Sequence, residues 1–358
     1  MPPFTAGDPD NILGKKKEIV KLNRARKTLI AAMIVWLATA VQGWPQDAPF
    51  TSIARKTFAD LLKIPLANPE VSVTVRGITE EEGLVVEDVF WEAPDNQRPP
   101  AFVIHPANAN GPLPAIVYLH GSSGSRESEC AKAFGVGPWT SANGKTGTRL
   151  LGAARELARR GYLTLALTQR GLDTRLPNTD DQAKDLLIRG RNLMGAEVYE
   201  IRQAITYLQR RPDVDPERIG MSGLSFGGIT TFYTWLVDLR VRAAAPICGG
   251  VGSLDIFSRM GNRGYHGVYW WVPDLLTKGD QADFAAAMAP RPLMLWAPLD
   301  DIAMPRQAVD RFIEIVRPAY ERAGARDAFV VHQPPGVHDL TLEAFEAMKR
   351  FFDTHLKK

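Results

Sequence analysis

The chain has 358 residues, 45% of them hydrophobic and 23% charged, with a formal charge of +3. This is ordinary globular composition, enough for one large α/β domain or two smaller ones. The positive excess sits at the front: residues 1–43 carry seven Lys/Arg against three Asp/Glu, which leaves −1 for the remainder and argues against a basic surface for nucleic acid. Two cysteines, Cys130 and Cys248, do not make a disulfide scaffold or a metal site. Both follow predicted strands on one edge of a sheet, which leaves a single bridge or two separate buried thiols, and the thiols are favoured.

Lys15, Lys16, Lys17, Lys21, Arg24, Arg26 and Lys27 precede an uncharged apolar run, residues 28–43. A positive region, a short apolar core and the small residues Ala38, Thr39 and Ala40 read as a secretory signal peptide. The alternative is an uncleaved N-terminal anchor, the one route by which the chain would touch a membrane. Residues 44–358 are left as a single catalytic domain.

Residues 44–68 have mixed helical character. Residues 71–76, 84–91 and 101–104 are strand-like, with turn signals between them, and suggest an antiparallel start to a sheet. Residues 115–119 are a continuous apolar strand, as expected for burial on both faces. Beyond them strands and helices alternate. Residues 148–160 read as helix, 162–168 as strand, 191–210 as a long amphipathic helix, 218–224 as strand and 228–238 as helix. Residues 241–247 and 291–297 read as strands, 305–323 as helix, 329–332 as strand and 340–356 as the closing helix. This alternation predicts an α/β fold: a mostly parallel sheet covered by helices on both faces, with ligands at the carboxyl ends of the strands.

The stretch Gly223-Leu224-Ser225-Phe226-Gly227 joins a strand to a helix in the pattern of a nucleophile elbow. The tight turn strains the serine, and bulky residues two positions either side would clash. A serine hydroxyl needs a base, usually a histidine oriented by a carboxylate. Of six histidines, His338 lies in the loop after the last strand, on the same sheet edge as Ser225, whereas His105, His332 and His355 are poorly placed. Asp300 and Asp301 stand together beyond strand 291–297, and Asp300, three residues past its end, is preferred as the orienting acid. Oxyanion donors are expected from the amide of Phe226 and from the loop His120-Gly121-Ser122-Ser123-Gly124, with Ser122 first and Ser123 as alternate. His120 is assigned to bracing that loop at the edge of the substrate pocket. Residues 251–289 have little regular alternation and read as an insertion over the strand ends. Its cluster of Tyr265, His266, Tyr269, Trp270 and Trp271 either stacks on a sugar or planar acyl group, or pins the insertion to the domain.

On these residues the chain resembles the serine α/β-hydrolase superfamily, most nearly its dienelactone-hydrolase-like and acetyl xylan esterase-like bacterial branch. The resemblance rests on His120-Gly121, on Val214-Asp215-Pro216-Glu217-Arg218-Ile219-Gly220 leading into the elbow, on Ala289-Pro290-Arg291-Pro292 and on Gly336-Val337-His338. It spans roughly residues 71–356. With the leader sequence, it implies an exported serine carboxylic ester hydrolase that uses Ser225, His338 and Asp300 and acts on a short-chain or carbohydrate-linked ester without metal or organic cofactor. Dienelactone hydrolases carry cysteine where this chain has Ser225; Ala297 replaces a common glycine, and Val337 separates glycine from histidine. Two rival readings are a small peptidase or amidase of the prolyl-oligopeptidase kind and an inactive binding protein on the same scaffold. Only some 70 residues precede the sheet, too few for a gating propeller.

Overall fold

Nine strands build the central sheet, and their order explains where the chemistry collects. The computed structural model describes residues 49–140, 146–175, 177–260 and 265–357; the expected leader, residues 1–43, lies outside them. The strands are β1 (Val73–Glu81), β2 (Leu84–Trp91), β3 (Pro100–Pro106), β4 (Leu113–Leu119), β5 (Gly135–Thr140), β6 (Thr146–Leu151), β7 (Leu163–Leu167), β8 (Val214–Leu224), β9 (Val241–Ile247), β10 (Leu293–Trp296) and β11 (Phe329–His332). The main sheet runs β1-β2-β3-β7-β4-β8-β9-β10-β11, and β5-β6 is a separate hairpin. The pairs from β1 through β3 to β7 are antiparallel, and every pair from β7 to β11 is parallel. The parallel carboxyl ends of β4, β7, β8, β9, β10 and β11 therefore share one edge.

The apolar pattern of β4 shows why both faces are covered. Ala115, Val117 and Leu119 point into one core and Ile116 and Tyr118 into the other, all of them buried. Alternation sends successive side chains to opposite faces, so a continuous apolar run needs a helix layer on each side. One layer is built from helices Pro49–Leu62, Leu193–Arg210, Phe226–Val237 and Arg306–Arg322, the other from Ala153–Arg159 and Leu342–Leu356. Residues 45–358 form one compact unit. Among the described residues no helix is long and apolar enough to cross a membrane. Cys130 and Cys248 are both free and buried.

Three local expectations change. Residues 148–160 are not one helix: β6 runs to Leu151 and the helix begins at Ala153. Gly152 separates them at φ 75°, and a side chain there would meet the Lys132 carbonyl at 2.4 Å. Helix Thr179–Ile188 was not expected, although Asn178 caps it through the Asp181 amide and Asp180 and Asp181 fill its first turn. Strand β1 is longer than expected, running on through an irregularity between Val75 and Gly77 as an exposed edge.

At the side of the sheet, Glu87 of β2 accepts hydrogen bonds from Arg211 at 2.6 and 2.8 Å and lies 3.4 Å from His105. Burial alone would raise its carboxyl, but the bonds to His105 and Arg211 outweigh it and hold the group down at about 2. A carboxylate depressed in the folded state stabilises the fold above its unfolded value, near 4.3, and loses that contribution as pH falls toward its folded value. Glu87→Gln should therefore lower unfolding free energy at pH 7, on the order of 3 kcal/mol. Urea melts should show the gap to the unsubstituted chain closing between about pH 4.5 and 2; a gap independent of pH would refute the assignment.

Candidate active site

Strand β8 ends at Leu224 and the next helix starts at Phe226, so Ser225 alone makes the turn, at φ 56° and ψ −113°. Such a conformation costs a non-glycine residue on the order of 1–3 kcal/mol and persists only where its surroundings over-determine it. Here the Ser225 amide donates to the Ile247 carbonyl at 2.9 Å, and the Ser225 carbonyl accepts from Gly228 and Ile229 at 2.9 and 3.0 Å. The two flanking glycines are required by one neighbour. A side chain at Gly223 would meet the Leu119 carbonyl oxygen at 2.6 Å, and one at Gly227 would meet it at 2.4 Å. The end of β4 thus lies against the elbow, and its loop emerges beside Ser225. The Ser225 side chain does not cap the helix, and among the described residues its hydroxyl is not hydrogen-bonded to His338.

The loop after β4 is fixed from below. Gly121 donates its amide to buried Glu129 at 2.9 Å, and Arg149 pairs with the same carboxylate at 2.6 Å. A side chain at Gly124 would meet Glu129 at 2.2 Å. With Gly121 committed, the amides of Ser122 and Ser123 have no acceptor among the described residues, nor has that of Phe226. Arg149 also reaches toward Asp339, 3.6 Å away, and so ties this loop to the one that carries His338.

His120 is fully buried, which removes it from the substrate pocket. The Gln169 amide donates to its Nε2 at 3.2 Å, so the proton sits on Nδ1 and donates to the Gly121 carbonyl at 2.8 Å. Burial lowers its pKa and keeps it neutral. The Gln169 loop is held in turn by a buried cluster in which Arg170 and Arg175 bond Glu200 and the Arg170 amide donates to Glu197. Burial and the Glu200 charge push the Glu197 carboxyl up to about 8.

His338 bonds Asp301, with Nδ1 to Oδ1 at 2.8 Å. The preference for Asp300 is therefore corrected. Main-chain pairing continues past the strands, from Ala297 to His332, Leu299 to Pro334 and Asp300 to Gly336. The Asp301 amide then closes a turn onto Pro298 at 3.1 Å. Asp300 occupies the corner of that turn and is exposed, while Asp301 re-enters the protein at 5% exposure and also accepts from the Ala303 amide at 2.8 Å. Counting residues from the strand end missed this turn. The other histidines lie elsewhere: His105 on Glu87, His332 within β11 and His355 in the closing helix.

No family model matches the chain. It is 26% identical over 297 residues to "Putative hydrolase YtaP" of Bacillus subtilis (strain 168), covering 82% of this chain and 96% of that one. Among solved structures it is similar to a glucuronoyl esterase from Solibacter usitatus, at TM-score 0.63 and 16% identity, covering 84% and 92% of the two chains. It is also similar to an acetyl xylan esterase from Paenibacillus sp. R4, at TM-score 0.57 and 19% identity, covering 86% and 94%. The fold is that of the α/β hydrolases.

In this α/β-hydrolase scaffold the aromatic insertion divides into two groups. Tyr265 approaches His338 edge to face with ring centres 6.0 Å apart, and Tyr269 meets Phe226 at 5.0 Å and interacts with the Ser122 side chain. Burial raises both phenols to about 12. Trp270, at 2% exposure, is a core residue and not a stacking platform. His266 stacks on it at 4.0 Å, bonds the Ala303 carbonyl through Nε2 at 2.7 Å and is driven to about 4 by burial. One edge of Trp270 and the side chain of Trp271 line a cavity of about 280 Å³ with Leu254, Val272 and Leu275. Sequence reasoning missed Glu129, Arg149 and Gln169, which no local motif marks.

Adding a methyl group at residue 227 forces a backbone contact that no side-chain rotation relieves. Gly227→Ala should cost about 3 kcal/mol in unfolding free energy, whereas Gly77→Ala, with open space around it, should stay within about 1 kcal/mol. Equal thermal midpoints for the two variants would contradict the close approach of β4.

Proposed function

We propose that this protein is an exported serine carboxylic ester hydrolase that works through an acyl-enzyme. The observation that carries the reading is the 2.8 Å bond from His338 Nδ1 to buried Asp301, made at the sheet edge that also presents the strained Ser225. With Nδ1–H donating to the carboxylate, Nε2 keeps a lone pair and is the atom that accepts a proton. Ser225 Oγ attacks the ester carbonyl as its proton passes to His338 Nε2. The oxyanion takes hydrogen bonds from the amides of Phe226 and Ser122, with Ser123 the alternate to Ser122. His338 returns the proton to the departing alcohol, leaving an acyl-Ser225 ester. Water attacks that ester by the same route in reverse, releasing the acid and restoring the hydroxyl. A serine–histidine contact unmade in the free enzyme is consistent with this, because such bonds often tighten only around substrate.

The substrate class is a short-chain or carbohydrate-linked ester. Solved neighbours named as acetyl xylan and glucuronoyl esterases support it, and so do the Tyr265 and Tyr269 rings beside the histidine and the elbow. Export rests on the basic and apolar leader sequence.

The test is hydrolysis of p-nitrophenyl acetate and acetylated xylo-oligosaccharides, set against p-nitroanilides. Ser225→Ala should lose at least about 10³-fold in kcat and Asp301→Asn about 10³- to 10⁴-fold, while Asp300→Asn stays within about threefold of the unsubstituted enzyme. Undiminished turnover by Ser225→Ala would end the proposal, and faster cleavage of anilides than esters would make the enzyme an amidase.

A further inference from the structure

We propose that Cys248, Asp301 and His338 form a latent site for a borderline-soft divalent cation such as Zn²⁺, and that its occupation switches the hydrolase off. The Cys248 sulfur, an Asp301 carboxylate oxygen and a His338 ring nitrogen all lie within 4.8 Å of one another. They come from the ends of β9, β10 and β11, three adjacent parallel strands, so the cluster exists only in the folded chain. Cys248 is held in place at φ 48°, with its amide bonded to the Trp296 carbonyl at 2.8 Å and its thiol donating to the Asp339 carbonyl at 3.4 Å. A small cavity of about 10 Å³, lined by Cys248, Asp301 and Met304 among others, adjoins the cluster and is about the size of one water-sized fourth ligand.

The donor set selects the ion. Thiolate with imidazole and carboxylate suits Zn²⁺ or Co²⁺, while Mg²⁺ and Ca²⁺ prefer all-oxygen shells. Tetrahedral Zn²⁺ holds sulfur at about 2.3 Å and nitrogen or oxygen at about 2.0–2.1 Å, so its ligand atoms stand roughly 3.3–3.6 Å apart. From separations of at most 4.8 Å the ligand atoms need only small shifts, among them an opening of the 2.8 Å carboxylate–imidazole pair by about half an ångström.

Inhibition follows from the tautomer. The ring nitrogen bonded to Asp301 is Nδ1, and a cation bound there replaces its proton. A neutral imidazole ligated through Nδ1 carries its proton on Nε2, the atom that has to accept one from Ser225. The imidazole proton has only changed nitrogen, so the thiol proton is the one released to solvent. The inhibitory half of the proposal rests on His338 being the general base, whereas ion binding does not.

The experiment uses the full chain with two readouts. Co²⁺ binding is followed by thiolate-to-cobalt charge-transfer absorption, which needs no activity. Zn²⁺ inhibition of ester hydrolysis is measured relative to each variant's own metal-free rate and reversed with EDTA. The unsubstituted protein should show the absorption band and EDTA-reversible loss of activity. Cys248→Ala should show no band and need at least about 30-fold more Zn²⁺ for half-inhibition, and Cys248→Ser gives a second variant of similar size if alanine fails to fold. Absence of the band in the unsubstituted protein, or equal Zn²⁺ sensitivity with and without the thiol, would overturn the site. A band accompanied by undiminished hydrolysis would overturn the inhibition, a result distinct from failure to bind.

Discussion

The carbonyl of Leu119 occupies the space where side chains at residues 223 and 227 would have to stand. That one close approach brings the end of β4 against the elbow, and most of the site follows from it. Only glycine at both positions lets strand, turn and helix pass so near another backbone. A second contact of the same kind, Gly228 against Gly249, brings the start of the helix against the chain beyond β9, where Cys248 lies. The loop leaving β4 then opens beside Ser225, with the amides of Ser122 and Phe226 uncommitted among the described residues. The geometry of the proposed site is a consequence of how closely three parallel strands and one helix can pack.

Polar groups buried under the loops hold what the strands bring together. Glu129 takes the Gly121 amide and pairs with Arg149, and Arg149 extends to Asp339 beside His338. Removing one partner from such a buried pair would leave a charge uncompensated, typically at 3–5 kcal/mol. The loop after β4 and the loop carrying His338 are thus linked through Arg149. A parallel device, Gln169 with Thr230 and His120, fixes the other side of the first loop. The proposed role of His120 as a brace agrees with both of its ring bonds.

Much of this architecture was legible in the sequence. A continuous apolar run announced β4, and the elbow, the histidine loop and the small-residue loop after β4 each stood out as short local patterns. What the sequence concealed was decided by long-range packing or by single turns. Apolar residues spaced helically from Leu150 to Leu157 masked the break at Gly152, which stands at φ 75° where any side chain would meet the Lys132 carbonyl. Asp300 and Asp301 differ by one step around a turn closed on Pro298, which spacing alone does not resolve. Trp270 and His266 looked available for stacking, and only tertiary burial shows that they stack on each other. Cys248 carried no metal-binding motif, because its neighbours Asp301 and His338 come from loops 53 and 90 residues further along.

The proposed mechanism requires one reactive hydroxyl, and its reactivity can be read without choosing a substrate. Treating the native protein with an organophosphonate and mapping the adduct by intact-mass and peptide mass spectrometry tests it directly. The account predicts one phosphonyl group per chain, carried by Ser225. No adduct under conditions that leave the protein folded, or an adduct on another residue with Ser225 unmodified, would contradict it.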